Sequence, residues 1–286
     1  MRAFTNSKKT VAIALALFLT VGLLAGCASQ PAKPADNAAP AGQSGQQAQG
    51  DPSLQKVKDS GKLVFATDST YPPMEYVDAD GKTVIGFDMD LSTEIAKRLG
   101  VAFQPMSVAW DGLLPGLLDK KYDGVISSMN VTDERKLKVD FVTYVSLDQV
   151  FVVRPDGTPV TKLDDLAGKV VAVQKGTTSE DMAKSVKGVK SIDSLDNFDT
   201  TFVELKNRKA DVIVIDEPVG LYFAKLDPNT FEVSGKAAQA MPVGIAIRKE
   251  DQTLYDAIQK AVDDMKKDGT FKTISEKWFG RDLSGQ

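Results

Sequence analysis

The sequence contains no histidine and a single cysteine among its 286 residues. Without histidine, Ser-His-Asp and Cys-His catalytic groups cannot form, and most zinc sites lose their usual ligand. A single cysteine excludes an internal disulfide and a thiolate metal cluster. The chain also has no basic stripe, and its formal net charge of −4 gives no reason to expect nucleic acid as a partner. We therefore expect neither a metal nor another cofactor.

Long apolar runs are scarce too, and the clearest one, VAIALALFLTVGLL at 11–24, is too short for a comfortable membrane span. Basic residues precede it, as in the n-region of a secretory signal. The run ends in LAGC at 24–27, which resembles the lipobox of bacterial lipoproteins, where cleavage leaves a lipid-modified cysteine as the first residue. An ordinary signal peptide with an incidental cysteine is the alternative. We interpret residues 1–26 as a lipoprotein signal peptide and Cys27 as the lipidation site.

A segment poor in large apolar residues follows. Residues 28–50 consist mostly of Ala, Gln, Pro and Gly, and this composition cannot bury enough apolar surface to offset the entropy of ordering. We predict a flexible tether over 27–53 and a folded part that begins near Leu54. With a lipidated cysteine at its start, the tether predicts an extracytoplasmic protein that is anchored to the cell membrane.

The folded part alternates short apolar runs with segments of helical period. Strand and helix patterns alternate first over 62–67, 87–100, 101–108, 110–121 and 122–127. They alternate again over 169–174, 175–186, 196–208, 211–216 and 217–226. Such alternation is typical of α/β units built on a parallel sheet. Two amphipathic helical patterns, at 254–269 and 270–280, end the folded part.

Two extended segments, 150–154 and 243–248, lie between and after the two α/β units. They indicate that the chain enters a second lobe, returns, and finishes on the first. We predict a two-lobed α/β fold in which each lobe is a mixed, mostly parallel sheet flanked by helices, and two hinge segments join the lobes. The predicted boundaries are lobe 1 at 54–147 and 242–281, lobe 2 at 148–241, and a tail at 282–286.

The stretch SSMNVTDERK at 127–136 places small polar side chains after a predicted buried strand, with an arginine close behind. Pairing of Arg135 with an acid such as Asp133 on a solvated helix is the ordinary outcome. The alternative is a guanidinium fork that grips a carboxylate through two parallel hydrogen bonds. Ser128 and Asn130 would then add polar groups at a strand end, where α/β sheets bind ligands.

Two stretches of the second unit allow similar alternatives. In QKGTTSED at 174–181, Thr177 or Thr178 would cap a helix, and the free N–H groups of that helix start would also bind an anion. Asp216 ends the apolar run VIVI, either as a helix cap or as a carboxylate suited to an ammonium ion.

A fourth group consists of Asp68, Tyr71 and Trp110, which follow the ends of the first two strands. Aromatic residues more often belong to a core than to a ligand clamp. Two prolines after Tyr71 stiffen its loop, however, and a rigid aromatic ring beside a strand end suits ligand stacking.

Together, these motifs resemble the amino-acid-binding family of bacterial solute-binding proteins that serve ABC importers, extracellular solute-binding protein family 3. The motifs occur in family order as TDSTYPPMEY, GFDMDL, WDGLLPGL, KKYDGVISSMNVTDERK, VAVQKGTTSED, DVIVIDEP and DGTFKTISEKWFG, between Lys62 and Gly280. The resemblance implies a periplasmic-binding-protein type 2 fold, an amino-acid ligand, permease subunits as partners and no enzymatic activity. We also expect a monomer.

The resemblance implies a role for each matching residue. Arg135, Asn130 and Thr178 would bind the ligand α-carboxylate, although the family usually has serine or threonine at the position of Asn130. Asp216 and Ser128 would bind the α-ammonium group. The other positions that match pocket residues of the family are Asp68, Tyr71, Trp110, Gln174 and Ser179.

The ligand side chain is predicted from Asp68, to which no basic residue of the chain is assigned. A buried carboxylate without a partner is costly, so it should meet a donor from the ligand. We therefore predict arginine first, then glutamine, lysine or ornithine. An enzyme resembling cyclohexadienyl dehydratase is the alternative on the same fold, with Asp68 and Glu75 as candidate proton donors. The sensory domain of a receptor is a third alternative.

Overall fold

The computed structural model describes residues 50–285, so the predicted signal peptide, Cys27 and the tether up to residue 49 lie outside the described residues. The described part becomes helical at Ser53. Asp51 accepts hydrogen bonds from the N–H of Ser53 at 2.8 Å and from the N–H of Thr253 at 2.6 Å. Residues 51–53, which the sequence assigns to the tether, therefore belong to the folded part, because these bonds fix them to a distant helix.

The described residues form nine α-helices and eleven strands. The helices are α1 Ser53–Ser60, α2 Phe87–Leu99, α3 Trp110–Leu118, α4 Asp133–Lys136, α5 Thr178–Ser185, α6 Phe198–Lys206, α7 Glu217–Leu226, α8 Gln252–Asp268 and α9 Thr270–Phe279. The strands are β1 Lys62–Thr67, β2 Thr70–Tyr71, β3 Glu75–Val77, β4 Val84–Ile85, β5 Ala102–Ser107, β6 Gly124–Val125, β7 Val139–Val153, β8 Val170–Gln174, β9 Ser191–Leu195, β10 Val212–Asp216 and β11 Glu232–Arg248.

Eight strands form one mixed sheet in the order β5-β1-β6-β11-β7-β10-β8-β9, and β2, β3 and β4 form a small separate sheet. The two longest strands, β7 and β11, pair antiparallel in the middle of the large sheet. On one side of them β1 runs parallel to β5 and β6, and on the other side β8 runs parallel to β9 and β10. We call these two sides the first lobe and the second lobe. The predicted two-lobed α/β fold is confirmed.

The hinge segments are longer than the sequence predicts. The stretches 150–154 and 243–248 lie almost wholly within β7 and β11, which have 15 and 17 residues. The ladder between these strands shifts register at several points, among them Val233/Gly235 and Ala238/Met241. Each shift inserts unpaired backbone that bends a strand and increases its twist. A continuous but irregular ladder therefore links the lobes.

Two strands differ from the prediction. The strand expected over 122–127 pairs only at Gly124 and Val125, and the chain then leaves the sheet. A side chain at Gly124 would place its Cβ 2.8 Å from the ring of Phe65, so this close approach to β1 requires glycine. The strand β9 was not predicted, because its sequence SIDSL alternates polar residues at a sheet edge and has no apolar run.

Helix packing follows the predicted period. In α2, Phe87, Leu91 and Ile95 are fully buried, and burying each side chain stabilises the fold by about 1.5–3 kcal/mol. Gly100 ends this helix with φ 79°, in the left-handed region that glycine adopts without strain. None of the helices in the described range has the length and apolar composition that crossing a bilayer requires.

Candidate functional site

A narrow cavity lies between the two lobes. Its walls come mainly from the segments that follow β1, β6, β8 and β10, so the carboxyl ends of strands from both lobes meet there. The lining residues are Asp68, Tyr71, Glu75, Trp110, Ser127, Ser128, Asn130, Gln174, Thr177, Thr178, Ser179, Phe198 and Asp216. Nine of the ten ligand-binding residues predicted from the sequence are among them, and Arg135 is not.

The loop after β6 carries Ser127, Ser128 and Asn130 to the cavity. Ser128 has φ 46°, a left-handed conformation that costs a residue other than glycine about 1–2 kcal/mol. Its N–H donates to Asp88 Oδ2 at 3.0 Å, and its hydroxyl donates to Glu75 Oε2 at 3.4 Å. Two buried carboxyl groups therefore hold the loop in this conformation.

One end of the cavity is acidic. Asp216 is the last residue of β10 and is 3% exposed. Its Oδ2 accepts a hydrogen bond from the hydroxyl of Tyr71 at 2.7 Å, and its Oδ1 accepts one from the amide of Gln149. Burial raises the pKa of Asp216 to about 7, against the lowering effect of these two hydrogen bonds. A cation placed here would restore the ionised form.

Another part of the cavity offers hydrogen-bond donors. Thr178 Oγ1 donates to Asn130 Oδ1 at 2.7 Å, which joins the two lobes. Asn130 Nδ2 is buried and has no hydrogen-bond partner within the described residues. Thr178 is the first residue of α5, whose cap is Thr177, and the N–H groups of a helix start favour an anion. This part of the cavity is therefore suited to a carboxylate.

Asp68 has partners that the sequence did not predict. Gln174 Nε2, from the second lobe, donates to Asp68 Oδ2 at 2.6 Å, and Thr70 Oγ1 donates to Asp68 Oδ1 at 2.9 Å. Burial still raises the pKa of Asp68 above its ordinary value, although these hydrogen bonds lower it. The expectation of an unpartnered carboxylate was wrong, because an amide 106 residues away reaches across the cleft.

Arg135 lies beside the cavity, in an adjoining groove. Its guanidinium donates to the carbonyl of Asn130 at 2.8 Å and to the carbonyl of Gly176, in the second lobe, at 3.2 Å. It also lies 5.3 Å from the ring centre of Trp110, whose Nε1 donates to the same Gly176 carbonyl at 3.1 Å. The hydroxyl of Thr132 caps the short helix α4 and places the arginine against this ring. Arg135 is thus an interlobe contact and not a residue of a fully solvated helix face.

Four lining residues were not predicted as ligand-binding: Glu75, Ser127, Thr177 and Phe198. Phe198 contacts Tyr71 edge to face, with ring centres 4.8 Å apart, so Tyr71 belongs to an aromatic pair as well as bonding Asp216. A helix-start aromatic such as Phe198 has the same local pattern as a core residue. For Ser127 a usable signal was present, because this residue stands at the head of the loop motif SSMNVTDERK.

The model of the family of bacterial extracellular solute-binding proteins, family 3, matches residues 63–281. The chain belongs to this family. Among its relatives is the L-cystine-binding protein TcyJ of Escherichia coli (strain K12), 35% identical over 234 residues that cover 81% of this chain and 87% of that protein.

Solved structures of other binding proteins are similar as well. A variant of ArgBP from T. maritima has 38% sequence identity and a TM-score of 0.76, and the match covers 80% of this chain and 100% of that chain. An ancestral arginine-binding protein, solved with arginine and also with glutamine, has 41% identity and a TM-score of 0.74, covering 77% of this chain and 99% of that chain. These similar proteins are named as binding proteins, and this chain is an amino-acid solute-binding protein and not an enzyme.

Proposed function

We propose that this solute-binding protein captures a basic L-amino acid, arginine by preference, and delivers it to an ABC importer. One observation carries the proposal: the cavity holds both a buried donor that bonds to no residue of the described range and a buried carboxylate from the other lobe. The donor is Asn130 Nδ2 and the carboxylate is that of Asp216. Buried polar groups need partners, and the two backbone charges of an amino acid would supply one to each.

The α-carboxylate of the ligand would accept from Asn130 Nδ2 and from the first turn of α5. Arg135 uses two of its five N–H donors on protein carbonyls, which leaves others for a carboxylate. Because one of those carbonyls belongs to Asn130 itself, the guanidinium also fixes the backbone of the donor residue. Both effects support a carboxylate at this part of the cavity.

The α-ammonium group would pair with Asp216. The hydroxyl of Tyr71 and the amide of Gln149 already hold this carboxylate from two sides. An ammonium ion provides the positive charge that neither of these neutral donors can supply, so it would favour the ionised carboxylate. Asp216 comes from the second lobe and Asn130 from the first, so a ligand that binds both would stabilise the closed arrangement of the lobes.

The side chain of the ligand would reach Asp68. A guanidinium could take the place of the Gln174 amide on this carboxylate, exchanging a neutral donor for a charged one. Tyr71, Trp110 and Phe198 offer aromatic faces to the same group. Carboxyl groups line the cavity, while the lining residues include neither lysine nor arginine. This charge distribution favours a cationic side chain and disfavours glutamate and aspartate.

The expected affinity is in the micromolar range or tighter. A dissociation constant of about 1 μM corresponds to about −8 kcal/mol. Charge-assisted hydrogen bonds to both backbone charges and to the guanidinium, each contributing about 1.5–3 kcal/mol, can supply this after ordering costs are subtracted.

The carboxylate part of the proposal is tested with Asn130→Asp, which keeps the shape of the side chain and replaces the unused donor by a negative charge. We expect calorimetry to show at least a hundredfold loss of arginine affinity, because the new carboxylate repels that of the ligand. Asn207→Asp makes the same change at an exposed helix end and serves as the control. Unchanged binding by the Asn130 variant would contradict the assignment.

The side-chain part is tested with a ligand panel of arginine, lysine, ornithine, glutamine, cystine and glutamate. A ligand present at 100 times its dissociation constant adds about 2.7 kcal/mol of stability, which a thermal shift detects. We expect arginine to give the largest shift and glutamate none. A larger shift with cystine or glutamate would overturn the choice of arginine while leaving the amino-acid site in place.

Anchoring and delivery complete the proposal. A lipid on Cys27 would hold the protein at the membrane outside the cytoplasm, and the segment after it would give the folded part reach toward a permease. The extracellular character of the family supports this location. The lobe boundaries predicted from the sequence remain part of the proposal, with 148–241 as the lobe that moves relative to the rest.

A further inference from the structure

We propose that Glu75 is a positioning residue that carries a proton, shared with Asp88, and thereby holds Ser128 in the conformation that lines the binding cavity. The affinity measurements that test this idea rest on the proposed function, whereas the stability measurements do not. The idea is independent of which amino acid binds.

Glu75 lies at the start of β3, lines the cavity and is 1% exposed. Its Oε1 accepts a hydrogen bond from Ser127 Oγ at 3.0 Å, and its Oε2 accepts one from Ser128 Oγ at 3.4 Å. Ser127 Oγ in turn accepts from the N–H of Asp68 at 2.9 Å. One carboxyl group therefore orients two neighbouring hydroxyl groups of the loop after β6.

Asp88 lies on the other side of the same loop. It is fully buried at the start of α2. Its oxygens accept hydrogen bonds from the N–H of Ser128 at 3.0 Å and from the hydroxyl of Tyr144 at 2.8 and 2.9 Å. Tyr144 belongs to β7, so this carboxyl group connects the loop to a strand that links the lobes. Ser128 is thus held through its N–H by Asp88 and through its hydroxyl by Glu75.

Glu75 and Asp88 are both buried and both bond Ser128, and two carboxyl groups so placed cannot both be ionised at moderate cost. The titratable groups that face Glu75 are Asp88 on α2, Asp68 after β1, Tyr71 on β2 and Tyr144 on β7, and all of them are acids. Burial first, and then the charge of Asp88, raise the pKa of Glu75 well above its ordinary value. We therefore place one proton on the pair, mainly on Glu75, which donates it to Asp88.

The proton on Glu75 gives every member of this hydrogen-bond network a partner. A neutral Glu75 donates to Asp88 and still accepts from the serine hydroxyl groups, whereas an ionised Glu75 would repel Asp88. Glutamine has the same shape, a donor and an acceptor, and no charge to lose. Glu75→Gln should therefore reproduce the neutral form at every pH, and Glu75→Ala should release Ser128 from one of its two restraints.

The first experiment measures the unfolding of the ligand-free protein in urea between pH 5 and pH 8. The folded wild type holds one more proton on this pair than the unfolded chain, so its stability is highest at low pH and falls as the pH rises. We expect the unfolding constant of the wild type, relative to that of Glu75→Gln, to grow by about tenfold per pH unit. Glu232→Gln, the same change at an exposed position of β11, should follow the wild type.

The second experiment measures arginine binding by calorimetry at pH 7. We expect Glu75→Gln to stay within about threefold of the wild type and Glu75→Ala to bind at least tenfold more weakly. Equal pH dependence of the wild type and Glu75→Gln would overturn the proton assignment. Equal losses in Glu75→Gln and Glu75→Ala would overturn it as well, and full affinity in Glu75→Ala would overturn the positioning role. If the wild type does not bind arginine, the proposed ligand is wrong, and the stability comparison still decides the role of Glu75.

Discussion

The raised pKa of Asp216 predicts a conflict between binding and stability that can be measured. Its ordinary value of 3.8 becomes about 7 in the folded protein. At about 1.4 kcal/mol per pH unit, this difference corresponds to at most about 4 kcal/mol. Because the folded value is the higher one, the contribution to stability is fully present below pH 3.8 and is lost as the pH rises through 7. The ligand-free protein at pH 8 therefore carries an ionised carboxylate that opposes folding.

Asp216→Asn removes this titration and keeps the shape of the side chain. We expect the ligand-free variant to match the wild type near pH 4 and to be up to about 4 kcal/mol more stable at pH 8, as measured by urea unfolding. The same variant should bind arginine at least thirtyfold more weakly, since an unpaired buried charge costs about 2–5 kcal/mol. Asp256→Asn, on the exposed side of α8, is the matched control.

The arginine affinity of the wild type should depend on the protonation state of Asp216. Below pH 7 the carboxylate must lose a proton before it pairs with the ammonium group, so affinity should fall by about tenfold per pH unit. Calorimetry near pH 6 in two buffers of different ionisation enthalpy should show the release of close to one proton. Affinity that stays constant from pH 5.5 to pH 8, or a variant less stable than the wild type at pH 8, would refute this reasoning.

Three further predictions test other parts of the proposal. Arg135→Lys should weaken arginine binding by tenfold or more, because lysine cannot contact the carbonyls of Asn130 and Gly176 and a ligand carboxylate together; equal calorimetric affinity would count against any role in binding. Asp68→Asn should weaken arginine more than glutamine, since only arginine loses an ion pair, and equal losses for the two ligands would contradict contact with the ligand side chain. Cys27→Ala should release the protein from the membrane fraction without changing ligand affinity, and retained anchoring would refute lipidation at this cysteine.

The sequence predicts most of the fold because its signals are local. Apolar runs, helical periods and a terminal glycine such as Gly100 mark elements without reference to the rest of the chain. The strand β9 was not predicted, because an edge strand needs no apolar run. The end of strand β6 at Val125 was not predicted for another reason. The chain leaves the sheet there because two carboxyl groups hold Ser128, and this contact involves distant parts of the sequence.

The residues of the candidate site also divide into those that the local sequence predicts and those that it does not. Positions at strand ends, such as Asp68, could be predicted because parallel strands bring their carboxyl ends together. Contacts across the cleft could not, since the partner of Asp68 is Gln174, more than a hundred residues later. Glu75 and Phe198 have local patterns that fit a core as well as a site. The position of Arg135 beside the cavity depends on where Trp110 lies, which no short stretch specifies.

The hydrogen bond from Trp110 to the carbonyl of Gly176 gives the protein a built-in optical reporter. The indole belongs to the first lobe and its acceptor to the second, so separation of the lobes would break this bond and expose the ring to water. Indole emission shifts to longer wavelength in a more polar environment. The chain has two tryptophans, and the other, Trp278, lies on α9 and bonds to Asp90 within the first lobe. In a Trp278→Phe background, the emission wavelength should therefore follow the opening and closing of the cleft in real time without an attached dye.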